Sequence, residues 1–352
     1  MKVLIIQQKM IGDVLTSSIL FEAIRTKYPD AELHYLINSH TYPVIKENPY
    51  ITKIVFFSEA HEKSKLKLLR LGKELKKENY DIIIDVYSKF SSNILTWLSE
   101  AKLKVSKHKW YTSFLYTHTY KEAKKAKTNA GLAIENRLQM LSALNISSEI
   151  VKPKIYLTGT EKSESQQFLE SNSIDLSKPL FMIGVLGSGD TKTYPFAYMA
   201  KIIDTIVSEK PDSQILFNYI PKQINDAKAI FDLCNLETKK HIHFNVFGKS
   251  LRNFLAITSH CTALIGNEGG ATNMAKALNI PTFTIFSPWI KKDAWNMFDN
   301  STTNVSVNLR DVSPHISNSN SLKQIKKGVF RYYDMFKPDG IIPELKNYLE
   351  QF

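Results

Sequence analysis

Residues 265–288, IGNEGGATNMAKALNIPTFTIFSP, constrain the fold more than any other part of the chain. Ala263, Leu264 and Ile265 form a short apolar run, which predicts a strand buried on both faces. Gly266-Asn267-Glu268-Gly269-Gly270 follows and frees the backbone to turn sharply. Ala271, Met274, Ala275 and Leu278 then recur at i, i+3, i+4 and i+7, one apolar face of a two-turn helix. Asn279 suits a left-handed helix end, Pro281 stops the helix, and β-branched and aromatic residues at 282–286 start the next strand. A helix that opens on a glycine pair directs free N–H groups and its positive dipole end at whatever lies over the loop, which makes an anion or phosphate site. Glu268 beside it offers an acceptor for sugar or ribose hydroxyls. A tight turn with no ligand would use the same residues, and this stretch alone does not choose between the two.

At 352 residues the chain is long enough for two domains with sizeable cores, and 43% apolar with 23% charged residues excludes a disordered chain. No apolar run reaches the ~18 residues of a membrane span, and strand-forming residues begin at Val3 rather than after a signal peptide. Cys234 and Cys261 are the only cysteines and form no C-x-x-C pair, so a reducing, cytoplasmic setting is expected. The net charge is +12, and residues 61–127 hold sixteen Lys or Arg against seven Asp or Glu. Such a surplus attracts anionic lipid head groups, lipopolysaccharide or nucleic acid, although a lysine-rich solvated surface gives the same count. The basic clusters at 63–70 and 121–127 lack an aromatic-rich RNA-binding strand, which favours peripheral contact with a membrane surface over nucleic acid.

In the first half, strands are expected at 3–6, 32–37, 53–57 and 81–86, alternating with helices such as 66–77, so this half is α/β with a mostly parallel sheet. Ligands in such sheets bind beyond the carboxyl ends of the strands, where the loop after the first strand carries Lys9, Gly12 and Asp13. Asp13 is either a helix N-cap or a carboxylate able to take a proton from an acceptor hydroxyl. A polar helix and connection place the domain change at 158–178. The second half repeats the pattern, with strands at 180–185, 214–219 and 242–245, helices at 196–207 and 250–259, and Pro195 in the first turn of the former. Its loop Leu186-Gly187-Ser188-Gly189-Asp190-Thr191-Lys192, with glycines, hydroxyls and one lysine ahead of a helix, is a second candidate phosphate cradle. Trp289, Trp295 and Phe298 either line a cleft or, the favoured reading, pack under a loop; residues 301–321 are read as irregular and 341–352 as a terminal helix. Of nine histidines only His241 and His243 are close, and no compact ligand set appears, so no metal and no cofactor are expected.

The start of the chain, Val3-Leu4-Ile5-Ile6 with Ile11-Gly12-Asp13-Val14, resembles the opening of the heptosyltransferase-like glycosyltransferases of family 9. The segment Gly187-Ser188-Gly189…Lys192-Thr193-Tyr194-Pro195-Phe196…Met199-Ala200 is similar to that family's Gly-x-x…Lys-x-Trp-Pro segment. Gly266 through Gly270, Met274 to Leu278 and Pro281 resemble its Gly-x-Asp-Thr-Gly-x-x-His-x-Ala-x-Ala-Leu segment. The resemblance implies a GT-B fold, two Rossmann-like domains with parallel sheets facing across a cleft. Residues 1–160 would bind the acceptor and 175–325 the nucleotide sugar, with 326–352 a helical segment returning to the first domain. It implies inverting, metal-independent transfer of a heptose-like sugar from a nucleotide diphosphate, ADP-linked, to a lipopolysaccharide core or related glycolipid acceptor at the cytoplasmic membrane face. By motif, Asp13 is the general base, Lys192 neutralises phosphate, and Gly269-Gly270 grip the diphosphate. Ser188 and Thr191 lie in the phosphate-contacting loop, and Gln223 stands near the ribose position. The chain departs from the family pattern at Glu268-Gly269, where Asp-Thr is usual, and at Asn273, where His is usual. These departures leave open a catalytically altered nucleotide-sugar-binding protein of the same fold.

Overall fold

A computed structural model describes residues 1–147, 149–314 and 322–352. The chain divides into two compact units, Met1–Tyr156 and Leu157–Phe352. Each is an α/β layer structure with a wholly parallel sheet, as the alternation of strand and helix patterns predicts.

The first unit holds β1 (Lys2–Ile6), β2 (Glu32–Asn38), β3 (Lys53–Phe57), β4 (Ile82–Asp85), β5 (Leu103–Lys107) and β6 (His118–Tyr120), in the order β3-β2-β1-β4-β5-β6. The central strands β1 (KVLII) and β4 (IIID) are the most apolar because helices cover both their faces. The helix Lys65–Lys77 seats Leu68, Leu71 and Leu75 against Leu4, Ile6, Leu36 and Ile83, and leaves its lysines to solvent. Strands β5 and β6 carry too little apolar alternation to stand out in the sequence. Pairing with the already buried β4 recruits β5, and β5 in turn recruits β6.

The second unit holds β7 (Leu180–Gly184), β8 (Gln214–Phe217), β9 (Ala263–Asn267), β10 (Thr282–Ile285) and β11 (Asn304–Val307), in the order β11-β10-β9-β7-β8. Several expectations change here. No strand forms over 242–245: Ile242 makes a single bridge to Ile215, and the chain then turns, with Val246 N–H donating to the His243 carbonyl. The segment read as irregular from residue 301 contains β11 and a short helix, Leu309–Val312, while 315–321 lie outside the described residues. Its Asn and Ser content hid the strand; parallel pairing with β10 buries Asn304 and Ser306, and the Thr282 hydroxyl donates to Asn304 Oδ1 at 3.0 Å. Pro195 is the residue before the helix Phe196–Glu209, not a member of its first turn. The terminal helix Ile342–Leu349, for which the sequence reading has a return to the first domain, seats Leu345, Tyr348 and Leu349 in the core of the second unit. Among the described residues, no helix is long and apolar enough to cross a membrane.

Candidate functional site

In the second unit two loops meet at the carboxyl ends of β7 and β9. Gly266 makes the approach possible: its φ is +135°, and a Cβ there would stand 2.5 Å from the Gly184 carbonyl oxygen. Asn267, 5% exposed, then ties the loops together. Its Nδ2 donates to the carbonyls of Gly184 and Val185, both at 2.9 Å, and its Oδ1 accepts from Tyr194 N–H at 2.7 Å. Strand β9 therefore runs through Gly266 and Asn267, two residues that the sequence reading gives to the loop.

The loop after β7 folds back on itself. A Cβ on Gly187 would lie 2.4 Å from the Lys192 carbonyl oxygen, Gly187 N–H donates to Thr193 Oγ1 at 3.0 Å, and the Thr193 hydroxyl donates to the Gly189 carbonyl at 3.1 Å. The Thr191 carbonyl accepts from Ser287 Oγ (2.7 Å) and Trp289 Nε1 (2.9 Å). Tyr194, fully buried among Tyr198, Tyr333 and Phe336, donates its hydroxyl to the Phe336 carbonyl at 2.7 Å. Backbone and core thus hold the residues flanking Lys192, and only its side chain projects.

That side chain meets the β9 loop. Lys192 Nζ lies 2.9 Å from Glu268 Oε1, with the two side chains 29% and 10% exposed. The contact is an ion pair by distance, since Oε1 has no aligned hydrogen-bond donor among the described residues. The Lys192 ammonium also stands 5.7 Å from the ring centre of Trp289, which packs against the loop as expected. Gly269 directly precedes the helix Gly270–Ala277; an added Cβ would meet nothing within 4 Å at Gly269, and only Met274 Cε at 3.8 Å at Gly270. Their backbone faces open space beside a lysine, the arrangement an anion site requires. Asn273 is half-buried in the first turns of that helix. The Ser188 side chain is exposed, and the Thr191 carbonyl is already engaged. Gln223 Nε2 donates to the Gly187 carbonyl at 3.2 Å, which gives it a share in holding the loop.

In the first unit the loop after β1 leads into the helix Ile11–Ser17. Its N-cap is Met10, with φ 67° and no side-chain capping bond, so Asp13 stands inside the first turn and is not the cap. Asp13 Oδ1 accepts from Arg137 Nη2 at 2.8 Å, and the two side chains are 26% and 12% exposed. Arg137, on the helix Leu132–Leu138, also donates to Ser17 Oγ (2.9 Å) and the Ala133 carbonyl (2.8 Å), so the guanidinium is fixed on three sides. Asp13 Oδ2 has no partner among the described residues. The Gly12 carbonyl accepts from Thr16 Oγ1 at 2.7 Å, and Lys9 pairs with Glu62 at 2.5 Å, a contact that raises the lysine's pKa.

Sequence reasoning did not single out Arg137, Asn267 or Asp85. Arg137 stands alone in a weak helical pattern and gains meaning only from the carboxylate it meets. Asp85, at the end of β4, is fully buried, and burial pushes its carboxyl pKa up. It accepts from Tyr116 Oη (2.6 Å) and Ser88 N–H (2.7 Å), fixing the turn that leads into the helix Phe90–Leu98, from which Ser91 Oγ donates to Gln8 Oε1 at 2.6 Å. Gln8 Nε2 remains a buried donor without a partner among the described residues.

Residues 68–326 match the family model described as glycosyltransferase family 9 (heptosyltransferase). The chain is similar to lipopolysaccharide heptosyltransferase 1 of Campylobacter coli, 24% identical over 291 residues that cover 81% of this chain and 84% of the relative. Its fold is similar to a family 9 glycosyl transferase of Veillonella parvula (TM-score 0.83, 16% identity, 100% and 98% of the two chains). It is also similar to the Escherichia coli ADP-heptose lipopolysaccharide heptosyltransferase II (TM-score 0.74, 17% identity, 100% and 99%). The chain therefore belongs to glycosyltransferase family 9, the heptosyltransferase family, and is a glycosyltransferase of GT-B fold with two Rossmann-like units.

Proposed function

We propose that the protein transfers a heptose-like sugar from an ADP-linked diphosphate donor to a hydroxyl of a lipopolysaccharide core or related glycolipid, with inversion. The observation that carries this reading is the meeting of Lys192 and Glu268 at 2.9 Å, immediately before the open glycine pair Gly269-Gly270. A cation, a carboxylate and a helix N-terminus in one place suit a sugar diphosphate: the lysine and the backbone amides take the phosphates, and Glu268 takes sugar hydroxyls. The second unit would then bind the donor and the first the acceptor. Relatives named for ADP-heptose and lipopolysaccharide support the choice of donor and acceptor.

Asp13 is the general base in this reading. Arg137 holds its Oδ1 and leaves Oδ2 to take the acceptor proton as the acceptor oxygen attacks the anomeric carbon and the diphosphate departs. Lys192 and the amides of Gly269 and Gly270 balance the charge that develops on the departing diphosphate, so the reaction runs without a divalent cation. The test is transfer by the purified protein from ADP-heptose, and from other nucleotide sugars, in the presence and absence of EDTA, beside Asp13→Ala. General-base help is worth roughly 10²–10⁴-fold, and unchanged transfer by Asp13→Ala would remove the assignment.

A second reading, a nucleotide-sugar-binding protein with altered catalysis, is favoured by one observation. Both key groups are already ion-paired, Lys192 with Glu268 and Asp13 with Arg137. Tight ADP binding with no turnover on any acceptor would select it.

A further inference from the structure

The first unit exposes four large aromatic side chains over a short stretch of surface: Trp110 (84%), Phe114 (80%), Phe90 (71%) and Tyr111 (54%). The segment that carries three of them follows β5, and its turn Ser113–Leu115 packs against the helix Phe90–Leu98, whose first residue is the fourth. Isolated surface aromatics are ordinary, but a group of four is not. The same stretch of chain is rich in positive charge. Lys89 and Lys107 both act on Lys109, and residues 107–127 hold six lysines and one carboxylate, Glu122.

We propose that this surface docks the protein on an anionic phospholipid bilayer, with Trp110 and Phe114 entering the interface and the surrounding lysines facing lipid phosphates. The proposal rests on the glycolipid reading of the acceptor and adds the surface that meets the membrane. Three features select a bilayer over other partners. Aromatic rings with lysines immediately behind them are the residues that settle at the head-group boundary. The lysine excess complements an anionic leaflet and lacks the acidic residues that a mixed protein interface would carry. The aromatics lie in a turn segment and at a helix start, not side by side on a sheet face, so they do not form the strand platform of an RNA-binding domain.

The position fits the chemistry. Strands β1, β4 and β5 are parallel, so the loop after β5 and the Asp13 loop leave the same edge of the sheet. The chain from the aromatic surface is tied back to the helix that holds Asp13: Ala123 N–H donates to Asn136 Oδ1 at 2.7 Å, and the amides of Lys127 and Thr128 donate to Glu135. Arg137 follows on that helix and grips Asp13. A bilayer under Trp110 and Phe114 would therefore present lipid-anchored sugars to the edge that carries the base.

Vesicle flotation of the full chain tests this, with phosphatidylcholine vesicles, with vesicles containing phosphatidylglycerol, and with the variants Trp110→Ser/Phe114→Ser and Lys124→Glu/Lys125→Glu. The wild type is expected to float with the anionic vesicles only, each double variant to lose at least tenfold in partition, and 0.5 M NaCl to weaken binding. Transfer to a water-soluble, deacylated acceptor should remain within twofold in both variants, which separates this proposal from the glycolipid reading: failure of all transfer would sink that reading and leave the flotation result standing. The docking proposal is overturned by absence of wild-type flotation or by undiminished flotation of Trp110→Ser/Phe114→Ser. It is equally overturned if sedimentation shows those residues holding two copies together, or if a single-stranded oligonucleotide binds them and anionic vesicles do not.

Discussion

Replacing Glu268 by glutamine removes a charge and little volume, and the structure says which way the consequences run. In the resting protein the Lys192 ammonium lies 2.9 Å from the carboxylate, in a site where the two side chains are 29% and 10% exposed. Two unit charges about 4 Å apart interact by about 1 kcal/mol in bulk water and about 4 kcal/mol at an effective dielectric of 20. A half-open site lies between, at about 1–3 kcal/mol. In the proposed function a nucleoside diphosphate must take the lysine from Glu268 and approach a second negative charge, so the carboxylate opposes it. Glu268→Gln should therefore bind ADP about tenfold more tightly, since about 1.4 kcal/mol is a factor of ten. Transfer should fall nevertheless, because glutamine cannot accept as strongly from the sugar hydroxyls. Isothermal titration with ADP measures the first effect and initial rates the second, with thermal unfolding as the control for folding. Lys192→Gln should weaken ADP binding, and Glu268→Gln should gain clearly less in that background, where only the carboxylate's direct repulsion of the diphosphate remains to be removed. An unchanged or weaker ADP affinity in Glu268→Gln, or the same gain without Lys192, refutes the reasoning.

Other consequences are equally direct. Arg137→Leu leaves Asp13 without its anchor, so kcat should fall about 10-fold or more while ADP affinity, which the proposed function assigns to the second unit, stays within twofold; Arg137→Lys should recover part of the rate because it restores the charge but not the three-way grip. Asn267→Ala strips partners from Tyr194 N–H and from the carbonyls of Gly184 and Val185, and should lower stability by about 2–4 kcal/mol in urea unfolding. Lys2 and Lys53 hold the Glu78 carboxyl down to about 2. Its contribution is present above the ordinary glutamate range and is lost as pH falls from about 5 through about 2, so Glu78→Gln should cost about 1–2 kcal/mol at pH 7, after allowance for solvent screening, and only a small part of that near pH 2.

Much of this molecule was legible before any coordinates. The runs Val3 to Ile6, Asp81 to Val86 and Leu180 to Val185 are long enough and apolar enough to specify buried parallel strands, and the glycines at 187, 266, 269 and 270 mark places where backbone must approach backbone or ligand. The loops that carry Lys192 and Glu268 stand out by their glycines, and Asn279 adopts the left-handed helix end with φ 61°. These are short-range statements, decided within a few residues by periodicity and steric freedom.

Other features could not be read that way. Polar β11 became a strand only because β10 offered an unpaired edge, and apolar 242–245 failed to become one because the chain turned after a single bridge. Arg137 meets Asp13 from 124 positions away, and Asn267 ties loops 83 positions apart. Local sequence determined which loops could hold an anion or offer a carboxylate. Strand order decided which charges became neighbours, because a Coulomb or hydrogen-bond partner is set by distance in space, and parallel sheets bring together carboxyl ends that lie far apart along the chain.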